Sequence, residues 1–263
     1  MRAIFLSMVL ALGLLAWPGL ARADVDAGLK AFEAGDYAAA RRQLLPLKDD
    51  PRAAFVLGVM SEQGLGAPAD NARAAEFYDL AVRGGHVSAA VNLGVMYDEG
   101  RGVPRDGIRA QWLYSYAAQA GDVTGKNNLA YLWGRQNGQL EEALCLSAET
   151  IKAEPDNGAY LDTYGFVLLR LGRLDDAERF FAKVLKLHRD AVAAEHMGDV
   201  ARLRGDSAGA RRWWQTALGM DPKEHDLRRI RAKLAGQSDD LDTHPPFQLR
   251  NDGFGKDCAM PSV

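Results

Sequence analysis

The chain has 263 residues, of which 48% are hydrophobic and 25% charged, with a formal net charge of −3. That mild acidity argues against nucleic acid or an anionic membrane surface as the main partner. Two cysteines are too few for a disulfide framework or a thiolate metal site, and a chain of this length exceeds one compact core unless it stacks locally.

The first 23 residues stand apart. Arg2 supplies a positive start, Ile4 to Trp17 is an apolar stretch too short to span a bilayer comfortably, and Pro18 breaks the run. Ala21-Arg22-Ala23 then offers a small-x-small cleavage site before Asp24. Residues 1–23 therefore read as a cleaved secretory signal, with no cysteine at the cleavage point to carry a lipid. Its removal takes Arg2 and Arg22 away, leaving 30 Lys and Arg against 35 acids, a net charge of −5. The alanine- and arginine-rich composition suggests a bacterium and hence a periplasm. No later segment approaches eighteen consecutive apolar residues.

Residues 24–50, with Gly28, Gly35-Asp36-Tyr37 and Ala40, read as a shortened helical hairpin. The next stretch is the most informative in the chain. LGVMSEQGLGAPAD, beginning at Leu57, returns as LGVMYDEGRGVPRD at Leu93. At that offset of 36 residues Gly58/Gly94, Gly64/Gly100, Gly66/Gly102, Pro68/Pro104, Asp70/Asp106, Tyr78/Tyr114 and Ala81/Ala117 superpose. A fixed period of this size means stacked supersecondary units, none able to bury its apolar face alone. Ala89 to Tyr97 places apolar residues three and four apart, which predicts a helix. Gly94 lies inside it at a cost of about 0.5–1 kcal/mol relative to Ala, which points to a close crossing with the second helix of the hairpin. Pro104 presets a helix start and Asp106 is its expected N-cap.

Downstream the period shortens: Leu129-Ala130, Tyr164-Gly165 and Met197-Gly198 lie 33 to 35 residues apart. Each pair is followed by a turn glycine (Gly138, Gly172, Gly205) and then an alanine (Ala143, Ala177, Ala210), with Pro155 and Pro222 closing units. Residues 122–222 thus hold three further hairpins. Leu227, Ile230 and Leu234, set among Arg and Lys, predict a solvated capping helix over residues 223–236. Residues 237–263 have three prolines, two glycines and no periodicity, and read as an irregular tail.

The LGxxYxxGxGVPxD run resembles the Sel-like repeat (SLR) family in two copies over residues 51–121. Trp112 and Leu113 depart from that pattern in the second copy, as do Ser61 and Ala67 in the first. Residues 122–222 resemble tetratricopeptide repeats, best in GRLDDAERFFAKVLKL from Gly172. The resemblance implies an all-α fold, a right-handed α-solenoid of antiparallel helical hairpins. It also implies a concave face lined by the first helix of each unit, here Asn127, Tyr131, Asp162, Phe166, Arg170, Glu195, Asp199 and Arg202. As a set these make a mixed-charge groove with aromatic platforms. Arg170 is expected to be exposed there. The lysines of the family's carboxylate clamp are missing.

A search for chemistry finds none. The five histidines (His86, His188, His196, His225, His244) show no metal-ligand spacing and read as surface or turn residues. The GxG pairs are hairpin turns, because no strand precedes them and no GK[ST] follows. No serine sits in a GxSxG context. Arg204-Gly205-Asp206-Ser207 falls in an ordinary inter-helix turn. No cofactor, metal or catalytic residue is assigned. In an oxidising compartment Cys145, on an outward helix face, and Cys258, in the tail, form a candidate disulfide.

The expectation is a non-catalytic periplasmic scaffold that binds a protein or peptide. By resemblance, it would act in envelope signalling or in exopolysaccharide or envelope assembly. A cell-wall enzyme of β-lactamase-like SLR type, or a structural protein that recruits a peptidoglycan hydrolase, are the alternatives. The partner, the pathway and the oligomeric state are not written in the sequence.

Overall fold

A computed structural model describes residues 18–237, with side chains from Val25 onward. The signal segment before Pro18, the tail from residue 238 and Cys258 lie outside these described residues. Within them the chain forms thirteen α-helices and one short 3-10 turn, with no strand. The described residues divide into two compact units, one running up to Ala89 together with Gly100–Pro104, the other holding Ala90–Glu99 and the residues from Arg105 onward.

The first unit holds α1 (Pro18–Glu33), α2 (Tyr37–Leu44), the 3-10 turn Leu45–Leu47, α3 (Pro51–Gln63) and α4 (Asn71–Arg83). Aspartates start the later helices. The carboxylate of Asp36 accepts from the amide of Ala39, Asp50 from those of Arg52 and Ala53, and Asp70 from that of Arg73. Each satisfies amides that the first turn leaves without partners. Leu44, Leu57, Met60 and Phe77 form the core with the alanines that allow close approach. Gly58 lies directly under the ring of Tyr78, whose hydroxyl donates to Glu62 at 2.7 Å. Gly102, at φ +71°, brings its loop against the backbone of Asn71.

In the second unit the order is α5 (Val87–Glu99), α6 (Gly107–Gln119), α7 (Val123–Gln136), α8 (Leu140–Ala153), α9 (Gly158–Arg170), α10 (Leu174–Leu187), α11 (Ala191–Leu203), α12 (Ser207–Leu218) and α13 (Glu224–Leu234). Residues 87–89 of α5 fall with the first unit. Asp106, Asp122, Asn157, Asp190 and Asp206 cap their helices by the same carboxylate or amide acceptance. Asp106 accepts from Ile108 and Arg109, as its place after Pro104 predicts.

One packing rule repeats along the chain. A Cβ built on Gly94 would lie 2.6 Å from Tyr114, one on Gly165 2.7 Å from Phe181, and one on Gly198 2.4 Å from Trp214. In each hairpin the glycine of the first helix accepts the flat ring of the second. The Leu-Gly, Tyr-Gly and Met-Gly pairs seen in sequence are these crossings. The largest core gathers Leu161, Tyr164, Val167, Leu168, Phe181 and their neighbours from α7 to α11.

Candidate functional site

The first helices α7, α9 and α11 bring most of the expected groove residues together, but they bury them. Tyr131 and Phe166 have ring centroids 5.2 Å apart, and Phe166 stacks at 5.2 Å on His196. His196 is buried, not a surface residue as its sequence context suggested. It packs against Phe181 on its other side, and its Nδ1 lies 2.9 Å from Asp162 Oδ1. Burial alone would lower its pKa. The surrounding carboxylates of Asp162, Glu195 and Asp199 override this and raise it above the usual histidine range.

Beside this stack sit Glu195 and Asp199, one helical turn apart on α11 and buried at 0% and 1% exposure. Their partners come from α13. Arg229 reaches Glu195 through Nε at 2.7 Å and Nη2 at 2.6 Å, a bidentate fork that also touches Asp226 at 2.9 Å. Lys233 Nζ lies 2.7 Å from Glu195 and 2.6 Å from Asp199. Trp214 Nε1 donates to Asp199 at 3.3 Å. Burial pushes Glu195 up, yet the Arg229 fork and Lys233 reverse this and set its pKa at about 2. Asp199 moves the other way: burial raises it, and Lys233, shared with Glu195, only partly compensates. The same carboxylates raise Lys233 against its own burial. Glu195 is therefore the firmly ionised member of the pair.

The α13 helix is accordingly not the solvated cap that its Arg and Lys content suggested. Ile230 is fully buried with Ala194, Ala210, Trp214 and Ala217, and Lys233 is buried against α11. A signal for this was present in the sequence. Glu195/Asp199 and Arg229/Lys233 are both i, i+4 pairs, set 34 residues apart, one repeat length. Composition hid it, because basic residues on a terminal helix ordinarily face water.

The remaining groove candidates differ. Arg170, expected to be exposed, is fully buried at the end of α9, because α9 lies covered on all sides along most of its length. Arg202 is partly buried on α11. Asn127 is 8% exposed, and its Oδ1 has no hydrogen-bond partner. Cys145 is partly buried on α8 and disulfide-bonded, while the expected partner Cys258 lies outside the described residues. A separate apolar ridge runs along α6, where Ile108 is 86% and Trp112 60% exposed and Trp112 stacks on Tyr116. Among the described residues no group of three or more His, Cys, Asp or Glu is arranged to hold a metal ion. Nor is any helix there long and apolar enough to cross a membrane.

These features define an all-α fold of stacked helical hairpins, the α-solenoid fold of SLR and tetratricopeptide proteins. Two Sel1 repeats are matched in it, at residues 51–86 and 87–122. The chain is 41% identical over 83 residues to cellulose synthase 1 operon protein C of Komagataeibacter xylinus, which is 31% of this chain and 6% of that protein. It thus spans only a small part of the curated relatives it matches. A Sel1 repeat protein from Oxalobacter formigenes superposes with a TM-score of 0.59 at 19% identity, covering 81% of this chain and 87% of the other. A protective antigen of uropathogenic Escherichia coli with an SLR fold gives 0.54 at 23% identity, covering 83% and 49%. At these identities the superpositions establish the fold. Sel1 and tetratricopeptide repeats mediate protein–protein interactions, and scaffolds built of them are generally non-catalytic.

Proposed function

We propose that the chain is a non-catalytic periplasmic adaptor that binds a protein or peptide through the first-helix face of its C-terminal hairpins. On this reading it serves exopolysaccharide or envelope assembly. The observation that carries the proposal is the run of rings Tyr131, Phe166 and His196 along the first helices, of which Tyr131 stays only partly buried. A partly exposed aromatic side chain backed by packed rings is what a bound segment can bury against. The assembly role draws support from the relative named for a cellulose synthase operon, and the periplasmic one from the signal-like first 23 residues.

Crosslinked pull-down from the native periplasm tests this, comparing the wild-type chain with Tyr131→Ala, the partly buried ring. Capture of a defined partner that weakens by about 1–3 kcal/mol in the variant, with unchanged helical circular dichroism, is the expected result. Equal capture would move the site away from the stack. The exposed Ile108–Trp112 ridge of α6 would then be the next surface to alter.

A further inference from the structure

The carboxylate face of α11 already holds a ligand: the chain's own last described helix. α13 seats three side chains on it at adjacent positions, Arg229 in a bidentate fork on Glu195, Ile230 fully buried, and Lys233 between Glu195 and Asp199. Resting on the adaptor reading above, we propose that α13 is a displaceable resident of this face. The partner that replaces it is a basic amphipathic helix presenting the same Arg-Ile-x-x-Lys spacing.

Three observations support it. First, Glu195 and Asp199 are almost completely covered, and α13 seats two cations on them, Arg229 on Glu195 and Lys233 on both, beside the Trp214 donor and His196 of their own helix. A buried carboxylate is tolerated only while it is paired. The face cannot stand open, so an incoming segment must bring its own cations as α13 leaves. A neutral or acidic helix would strand both charges, which makes the same pair a specificity filter. Second, the apolar hold on α13 is slight: Ile230 is its one fully buried apolar side chain, with Leu234 only partly covered. Third, the link from α12 carries strain. Asp221 adopts φ +58°, the left-handed region, directly before Pro222, where a non-glycine residue is doubly disfavoured. A tethered helix competes at high effective concentration, so the resident sets a threshold that only a well-matched basic helix passes.

The test uses the full chain and a fluorescein-labelled peptide with the α13 sequence, Glu224 to Leu234. The double variant Arg229→Ala, Lys233→Ala removes the resident's cations and leaves the carboxylates waiting. Anisotropy in low salt is expected to show this variant binding the peptide at least tenfold more tightly than wild type does. A control peptide with alanine at the same two positions should bind neither chain. Equal affinity for both peptides, or no binding, overturns the proposal. If the double variant loses its helical circular dichroism, full-length Ile230→Ala, which keeps the ion pairs, takes its place under the same criteria. A wild-type dimer that exchanges α13 between copies would assign the occupant to a second copy and overturn a foreign helix. A native partner mapped to a non-basic contact segment would sink this inference and leave the adaptor reading standing. Failure to capture any protein would sink that reading alone.

Discussion

Gly94→Ala is the sharpest probe of how these hairpins pack. By propensity alone the change should stabilise α5 by up to about 1 kcal/mol, since Ala is the best helix former. The structure predicts the opposite sign. The added methyl would lie 2.6 Å from Cε1 and 2.8 Å from Cδ1 of Tyr114, nearly 1 Å inside an ordinary carbon–carbon contact of roughly 3.5 Å. Tyr114 is 3% exposed, so its ring cannot swing into solvent, and α5 and α6 must separate. Overpacking of this kind costs about 1–3 kcal/mol, which outweighs the propensity gain and leaves a net loss of about 1–2 kcal/mol. Urea unfolding of Gly94→Ala, Tyr114→Ala and the double variant measures it. Tyr114→Ala costs about 3–5 kcal/mol by itself. With the ring gone, Gly94→Ala should become stabilising by about 0.5–1 kcal/mol. The reasoning is refuted if Gly94→Ala alone equals or exceeds wild type, or if the two changes are additive within about 0.5 kcal/mol.

Stability should also follow pH in a defined way. Glu195 falls from 4.5 unfolded to about 2 folded, so its contribution is complete above pH 4.5 and is lost as pH drops toward 2. At 1.36 kcal/mol per unit that is about 3 kcal/mol, opposed in part by Asp199, whose raised pKa favours the folded state in acid. His196, raised above 6.5, contributes below pH 6.5 and loses its contribution as pH climbs through the folded value, whereas Lys233 holds past pH 10.5. Urea melts across pH should therefore show an acid limb below pH 4.5 from Glu195 and a loss above pH 6.5 from His196. An acid limb identical in Glu195→Gln would disprove the assignment. Arg170→Glu, at a fully covered position, should cost about 3–5 kcal/mol by thermal melt, and an unchanged melt would mean the site is open. Intact mass of protein released by osmotic shock, after alkylation without reductant, should start at Asp24 with neither Cys145 nor Cys258 labelled. A full-length mass defeats the export reading, and two labels defeat the disulfide.

Much of the architecture was readable in the residues because repetition makes local signals explicit. The 36-residue copy of LGxM…GxG…D marks hairpin, turn and N-cap together, and at the helix crossings where the small residues recur the structure places Gly58, Gly94, Gly165 and Gly198 against rings of the second helix. Such features depend on neighbours a fixed number of residues away, and periodicity counts that distance directly. The placement of α13 is different in kind. Its Arg229, Ile230 and Lys233 look like an ordinary charged surface until the fold lays them across α11. Whether a lysine meets water or two buried carboxylates depends on which faces the stacked hairpins leave to be covered. His196 and Arg170 changed character for the same reason. Their helices lie inside a stack, and burial is set by what packs on every side of a residue, a three-dimensional sum that no spacing along the chain contains.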